Sequence, residues 1–276
     1  MERGECRLCL KEADLLDSHY LPKSVYAANR AGTLKNPNPV TLSHRQAKQV
    51  SDQLHGPAFC KECEDRLNKH GERWVIARLP KGHKQPFPLQ EALIPARPAF
   101  IGDNINIYEG RNIAEFDMDQ LIYFGMSVFW RGAARTWTTS TGAVAPPVSL
   151  GDYYEAIRGF LLGGPFPQDI CLVVLIHNLK PAGNAVIPVH LSKSGYGDFH
   201  WFYVNGLSFM LYLGKSLPEE ARRLCANGTI RAVVVDKAFS SMVYSYLREM
   251  LETAAKSQSV LDLLKPKPEV STDIGE

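Results

Sequence analysis

The clearest pattern of apolar and polar positions begins at Asp117. Leu121, Phe124, Val128 and Phe129 recur at helical spacing, which predicts a helix over Met118–Arg135 with Asp117 as its N-cap. Trp130, Arg131 and Arg135 interrupt its apolar character, and an arginine in such a setting calls for a structural partner. A second helix is predicted over Asp152–Leu162, closed by Gly163-Gly164-Pro165. Strand-length apolar runs follow at Ile170–His177, Asn184–Val189, His200–Val204, Leu207–Leu213 and Ile230–Val235. Asn205-Gly206, between two of them, is a strong hairpin signal. Pro218–Ala226 reads as a short helix stopped by Asn227-Gly228. Phe239–Ala255 reads as a longer one, with Met242, Tyr246, Met250 and Leu251 along one side.

Upstream the pattern is shorter. Ala13–Tyr20 can supply a strand, Ser24–Asn29 a helix opened by Pro22, and Val40–Leu42 a second strand. Glu64–Ile76 has a helical pattern. Five prolines between Pro80 and Pro98 break any long element in residues 80–110. The expected organisation is a first unit over 1–80, a Pro-rich linker over 81–110, a larger body over 111–264 and a disordered tail over 265–276. Hairpins with helices gathered before and after them predict an α+β fold whose body holds a mainly antiparallel sheet.

Composition narrows the class. Of 276 residues, 45% are apolar and 22% charged, as in a globular chain able to bury a core. The net charge of +2 gives no global signal for nucleic acid, although the first unit is locally richer in Lys, Arg and His. No apolar run reaches the ~20 residues of a membrane span, and the first residues lack the apolar core of a signal peptide. A cytoplasmic location is expected.

Four of the six cysteines change the picture. Cys6-Arg7-Leu8-Cys9 and Cys60-Lys61-Glu62-Cys63 are two Cys-x-x-Cys knuckles, the ligand set of a structural zinc site. Knuckle, hairpin, knuckle, helix is the order of a treble-clef finger, a ββα element. A pair of redox-active motifs is the competing reading, but neither knuckle stands at the strand-to-helix junction of a thioredoxin-like unit. Cys171 and Cys225 stand apart in apolar surroundings and are expected to be buried thiols.

With Ser18-His19-x-x-Pro22 between the knuckles, residues 5–75 resemble the HNH (His-Me finger) nucleases in their zinc-knuckled form. The resemblance implies a structural Zn2+ on Cys6, Cys9, Cys60 and Cys63, and a separate catalytic Mg2+ or Mn2+. It implies that His19 is the general base in phosphodiester hydrolysis on DNA. Ser18 stands where the family often has an acidic ligand. The family's middle position falls to Asn38, His44 or His55. Its final position, after the last cysteine, falls to Glu64, Asn68 or His70; the first two of these share a helix face. The function implied is a metal-dependent endonuclease. The alternative is a catalytically inactive, zinc-stapled module that binds nucleic acid or protein, with the 111–264 body as a possible protein-binding surface. In that body, His177 reads as a satisfied core histidine. Tyr196, His200, Trp201 and Tyr203 read as strand interior and rim rather than a base-stacking surface.

Overall fold

The computed structural model describes residues 2–28, 40–43, 46–49, 52–80, 87–177, 186–194, 197–215, 217–229, 231–236, 249, 252 and 255–256. In chain order its elements are β1 (Glu2–Glu5), β2 (Glu12–His19), α1 (Lys23–Ala28), β3 (Val40–Ser43), β4 (Gln46–Gln49), β5 (His55–Cys60) and α2 (Lys61–Leu67). A π-helical turn (Asn68–Glu72) joins α2 to α3 (Arg73–Ile76). Then come α4 (Pro88–Glu91), β6 (Phe100–Ile101), β7 (Ile105–Glu109), α5 (Met118–Ala134), β8 (Trp137–Thr138), β9 (Val144–Ala145) and α6 (Tyr153–Leu161). The chain continues with β10 (Ile170–His177), β11 (Val186–Ser194), β12 (Gly197–Val204), β13 (Leu207–Leu213), α7 (Glu219–Arg223), β14 (Ala232–Asp236) and β15 (Ala255–Lys256).

The architecture is α+β, as expected. The larger sheet has the order β11-β12-β13-β10-β14-β7-β6. Its pairings are antiparallel except β10 with β14, where Leu175 lies opposite Val234 in parallel register. Asn205 and Gly206 both adopt positive φ, +43° and +91°, as a two-residue hairpin of this type demands, and they set Val204 opposite Leu207. A smaller sheet has the order β1-β2-β5-β8-β9. Its last two strands come from the turn-rich stretch after α5, so the region around the knuckles and the body share this sheet through the pairing of His55 with Thr138.

Helix α5 is the centre of the molecule. Asp117 caps it, its Oδ1 accepting from the Gln120 amide at 3.1 Å. Thirteen of its residues are buried, on all sides, which marks a core helix rather than a surface one. The larger sheet packs on one flank, with Phe209 and Phe202 around Phe124. The knuckle region packs on another, with Trp130 5.8 Å from Phe59. Close approach is needed at Gly71 in the π-turn, where a Cβ would stand 2.8 Å from the backbone nitrogen of Phe124. The resulting buried cluster runs without a break from Cys6 and Leu8 to Val233.

Several local expectations change. Residues 80–110, expected as a linker, contribute α4, β6 and β7 where they are described, and Phe87, Leu89 and Leu93 are buried. The helix expected from Glu64 starts at Lys61. Cys171 and Cys225, expected as thiols, are joined by a disulfide, because β10 and the turn after α7 bring them together. Trp201 and Tyr203 are strand interior, as expected, and His200 is buried with them. Tyr196, the tail over 265–276 and most of the helix expected over 239–255 lie outside the described residues.

Candidate functional site

The four knuckle sulfurs converge on one point. The first knuckle is a tight turn in which the Leu10 amide donates to the Cys6 carbonyl at 2.8 Å, with Leu10 at positive φ. The Arg7 amide ties it to Ala58 of β5 at 3.0 Å. The second knuckle is the junction of β5 and α2, where helix amides and the helix dipole favour thiolates. The Cys6, Cys9, Cys60 and Cys63 sulfurs all lie within 4.8 Å of one another, and Cys9 Sγ stands 3.8 Å from Cys60 Sγ. A tetrahedron with metal–sulfur bonds of ~2.3 Å has edges of about 3.8 Å. The set can hold a metal ion such as zinc.

Their electrostatics fit the same occupant. Contact with the Cys63 thiol, helped by backbone amides, pulls the Cys6 thiol down to about 4 against the opposing effect of burial. Burial pushes Cys60 up to about 11, and the Cys6 thiolate pushes Cys63 higher still. One anion is tolerated among the crowded sulfurs and further ones are resisted, until a dication at the centre reverses the balance. Among the described residues, this is the one group of three or more His, Cys, Asp and Glu side chains close enough together to share an ion.

A second cluster lies at the other end of the β2–β5 ladder. The register sets His19 directly opposite His55. Their rings stack with centroids 5.8 Å apart. Strand alternation puts Asp17 on the face that carries His19, and Asp17 Oδ1 meets His55 Nδ1 at 2.8 Å. Ser18 points the other way and is buried, its hydroxyl donating to the Leu16 carbonyl. His19 is half-buried, and desolvation holds its pKa below the ordinary 6.5. Asp17 and Glu64 oppose that shift, while His55 and Lys23 reinforce it.

Arg131 joins this cluster to the body. From α5 it reaches across the Phe59 ring, with its guanidinium carbon 5.5 Å from the centroid. Its Nη1 donates to the His19 carbonyl at 3.3 Å. Its Nη2 stands 2.6 Å from Glu72 Oε1 and 3.6 Å from Glu64 Oε2. The contact with Glu72 is close, but its alignment is not that of a hydrogen bond, and Glu64 Oε1 is buried without a partner among the described residues. Burial raises the Glu72 carboxyl pKa in spite of the arginine, and Glu64 raises it further.

The expected site residues therefore separate. His19 and Glu64 belong to one electrostatic neighbourhood. Asn68 and His70 are exposed on the π-turn, and the His70 ring packs at 5.5 Å from Tyr123 of α5. Of the three candidates for the middle position, His55 stands beside His19, whereas Asn38 and His44 lie outside the described residues. Asp17 and Glu72 were not anticipated. The alternation along β2 carries the signal for Asp17, but nothing local marks Glu72, whose partner comes from α5. His177 is satisfied in the core: its Nδ1 meets Asp236 Oδ2 at 3.2 Å and its Nε2 meets Ser208 Oγ at 2.6 Å. This has the order of a catalytic triad, but Ser208 and His177 have no exposed surface for a substrate to reach.

No helix among the described residues is long and apolar enough to cross a membrane. No family model matches the chain, and comparison with curated proteins and with solved structures returned no match.

Proposed function

We propose that the chain is an HNH-type metal-dependent endonuclease that hydrolyses phosphodiester bonds in DNA. The observation that carries this reading is the cross-strand pair of His19 and His55, backed by Asp17 and standing in the field of Glu64. A half-buried imidazole whose pKa lies below 6.5 is neutral at neutral pH, the state a general base requires. In this reading His19 takes the proton from the attacking water. Asp17 orients His55, which flanks His19. Arg131 fixes the His19 carbonyl, and with it the end of β2.

Glu64 would hold the Mg2+ or Mn2+ ion. Among the described residues its Oε1 is buried and lacks a partner, as suits an oxygen reserved for a ligand. Hard cations of this kind commonly use one or two carboxylates and take their other ligands from water and phosphate. The ion supplies charge neutralisation on the phosphate and the leaving oxygen. The zinc held by the cysteines is structural in this reading and takes no part in the reaction.

The rival reading is a catalytically inactive, zinc-stapled module. The contact of Glu64 with Arg131 favours it, because a guanidinium already compensates that carboxylate. Supercoiled plasmid incubated with zinc-loaded protein and Mg2+ or Mn2+ separates the two. The nuclease reading expects nicked and linear product from the wild type, and a loss of at least a hundredfold in His19→Ala and Glu64→Gln. Wild type as inert as the variants, with zinc still bound in all three, would sink it.

A further inference from the structure

The π-turn and the N-terminal half of α5 enclose a cavity that the reading above leaves unused. Its volume is about 430 Å³, within the range of small-ligand sites. One wall is a row of rings. His70 lies 5.5 Å from Tyr123, Tyr123 lies 5.9 Å from Phe160, and Phe160 lies 5.2 Å from Phe166. The Tyr123 hydroxyl donates to the Leu161 carbonyl at 2.8 Å, which locks that ring in place. Phe160 and Phe166 remain partly exposed.

The charges in the cavity are unequally used. Both Asp117 oxygens accept hydrogen bonds from Gln120, from its backbone amide and from its side-chain amide. Asp119 is held by Arg231 at 2.5 Å. Arg66, on the final turn of α2, has no carboxylate within ion-pair distance among the described residues. Its guanidinium lies beside Gly163, which has no side chain to close that edge. Arg231 sits at positive φ (+48°) on the same rim, a backbone state that clusters at ligand sites. The larger neighbouring cavity shares Asp117, Asp119 and Arg231 with this one, so the groove continues past Trp74.

Partly exposed rings beside an uncompensated arginine suit a flat, apolar-faced group with an anion attached. A nucleotide unit has that form: stacking recognises its base and a guanidinium its phosphate. Bases in a duplex are already stacked on one another, whereas those of a single strand are free to enter. We propose that this cavity binds one nucleotide of a single-stranded nucleic acid, its base against Phe160 and Phe166 and its phosphate on Arg66. The cavity's own lining supports this, and catalysis at His19 is not required for it.

Fluorescence anisotropy on the full zinc-loaded chain, without Mg2+ or Mn2+, tests the proposal. The probes are labelled single-stranded DNA, single-stranded RNA and duplex DNA of one length. At least one single strand binds more tightly than the duplex, and the RNA and DNA arms identify which sugar is preferred. Arg66→Glu and Phe160→Ala each weaken that binding roughly tenfold. Arg66→Glu also lowers the slope of log affinity against log salt by about 0.7. Zinc content and circular dichroism confirm that each variant is folded, and Phe166→Leu replaces Phe160→Ala if the latter is not. Equal affinity for duplex and single strand, or binding indifferent to both Arg66 and Phe160, overturns the proposal. A chain that nicks plasmid but fails this test loses only the nucleotide site. One that passes it but cuts nothing loses only the nuclease reading.

Discussion

Arg131 has a side chain only 2% exposed, and it lies between Glu72, Glu64 and the His19 carbonyl. Its presence on an otherwise apolar helix signals in the sequence that a partner is needed. The partner itself was not legible there, because Glu72 comes from a distant helical segment and only tertiary packing brings the two together. Removing the arginine leaves a buried carboxylate alone, which typically costs 3–5 kcal/mol, about the size expected here. Arg131→Met should therefore lower the urea midpoint sharply, and adding Glu72→Gln should recover most of the loss. The pH dependence has a definite sign. The folded pKa of Glu72 is already raised, so its contribution is favourable below the unfolded value near 4.5 and is lost as pH rises through the folded value. Without Arg131 that rise is larger, and the variant should be hurt less at pH 5 than at pH 8. Denaturation curves at the two pH values check this; a loss that is small and independent of pH would contradict it.

At the level of elements, the knuckles were the most legible feature. Cys-x-x-Cys spacing is a local property, and the four sulfurs do come together. The strand ahead of His19 was also readable, to within a residue at each end. The π-turn was not, because a single extra residue confined to one turn is too local to be read from the few apolar positions of Glu64–Ile76. Yet that turn decides where His70 goes: with Gly71 pressed against Phe124, the His70 ring packs on Tyr123. If a metal staples β5, α2 and the first knuckle, Cys60→Ser should carry almost no zinc where the wild type carries about one equivalent. Structural zinc sites contribute on the order of 10 kcal/mol of binding free energy, so the variant and the chelator-treated wild type should melt far below the intact protein. Metal analysis and thermal melts read both effects. Equal melting with and without metal would remove the structural role.

On the scale of the whole molecule, the α+β class followed from the mix of hairpin and helix patterns. The extent of integration did not. Prolines between Pro80 and Pro98 suggested a break, but β7, within the expected 81–110 linker, pairs with β14, and β8 beyond α5 pairs with β5. Strand pairing between distant segments leaves no local trace in a sequence, and two-residue strands lie below what periodicity resolves. The disulfide between Cys171 and Cys225 is legible only once β10 and the turn after α7 are neighbours. The common feature is that α5 supports the two larger sheets, so the residues around His19 are positioned by the body as well as by the knuckles.

The most direct test of that arrangement is the rate of plasmid nicking as a function of pH under single-turnover conditions. A base acts when unprotonated, so the rate should rise with pH through the His19 pKa. Burial sets that pKa below 6.5. The midpoint of the acid limb should therefore fall below 6.5. It should fall lower still in Asp17→Asn, which removes the negative charge that opposes the shift. The limb should vanish, with most of the rate, in His19→Ala. A midpoint at or above 6.5, or an acid limb that survives in His19→Ala, would contradict the assignment of His19 as the base.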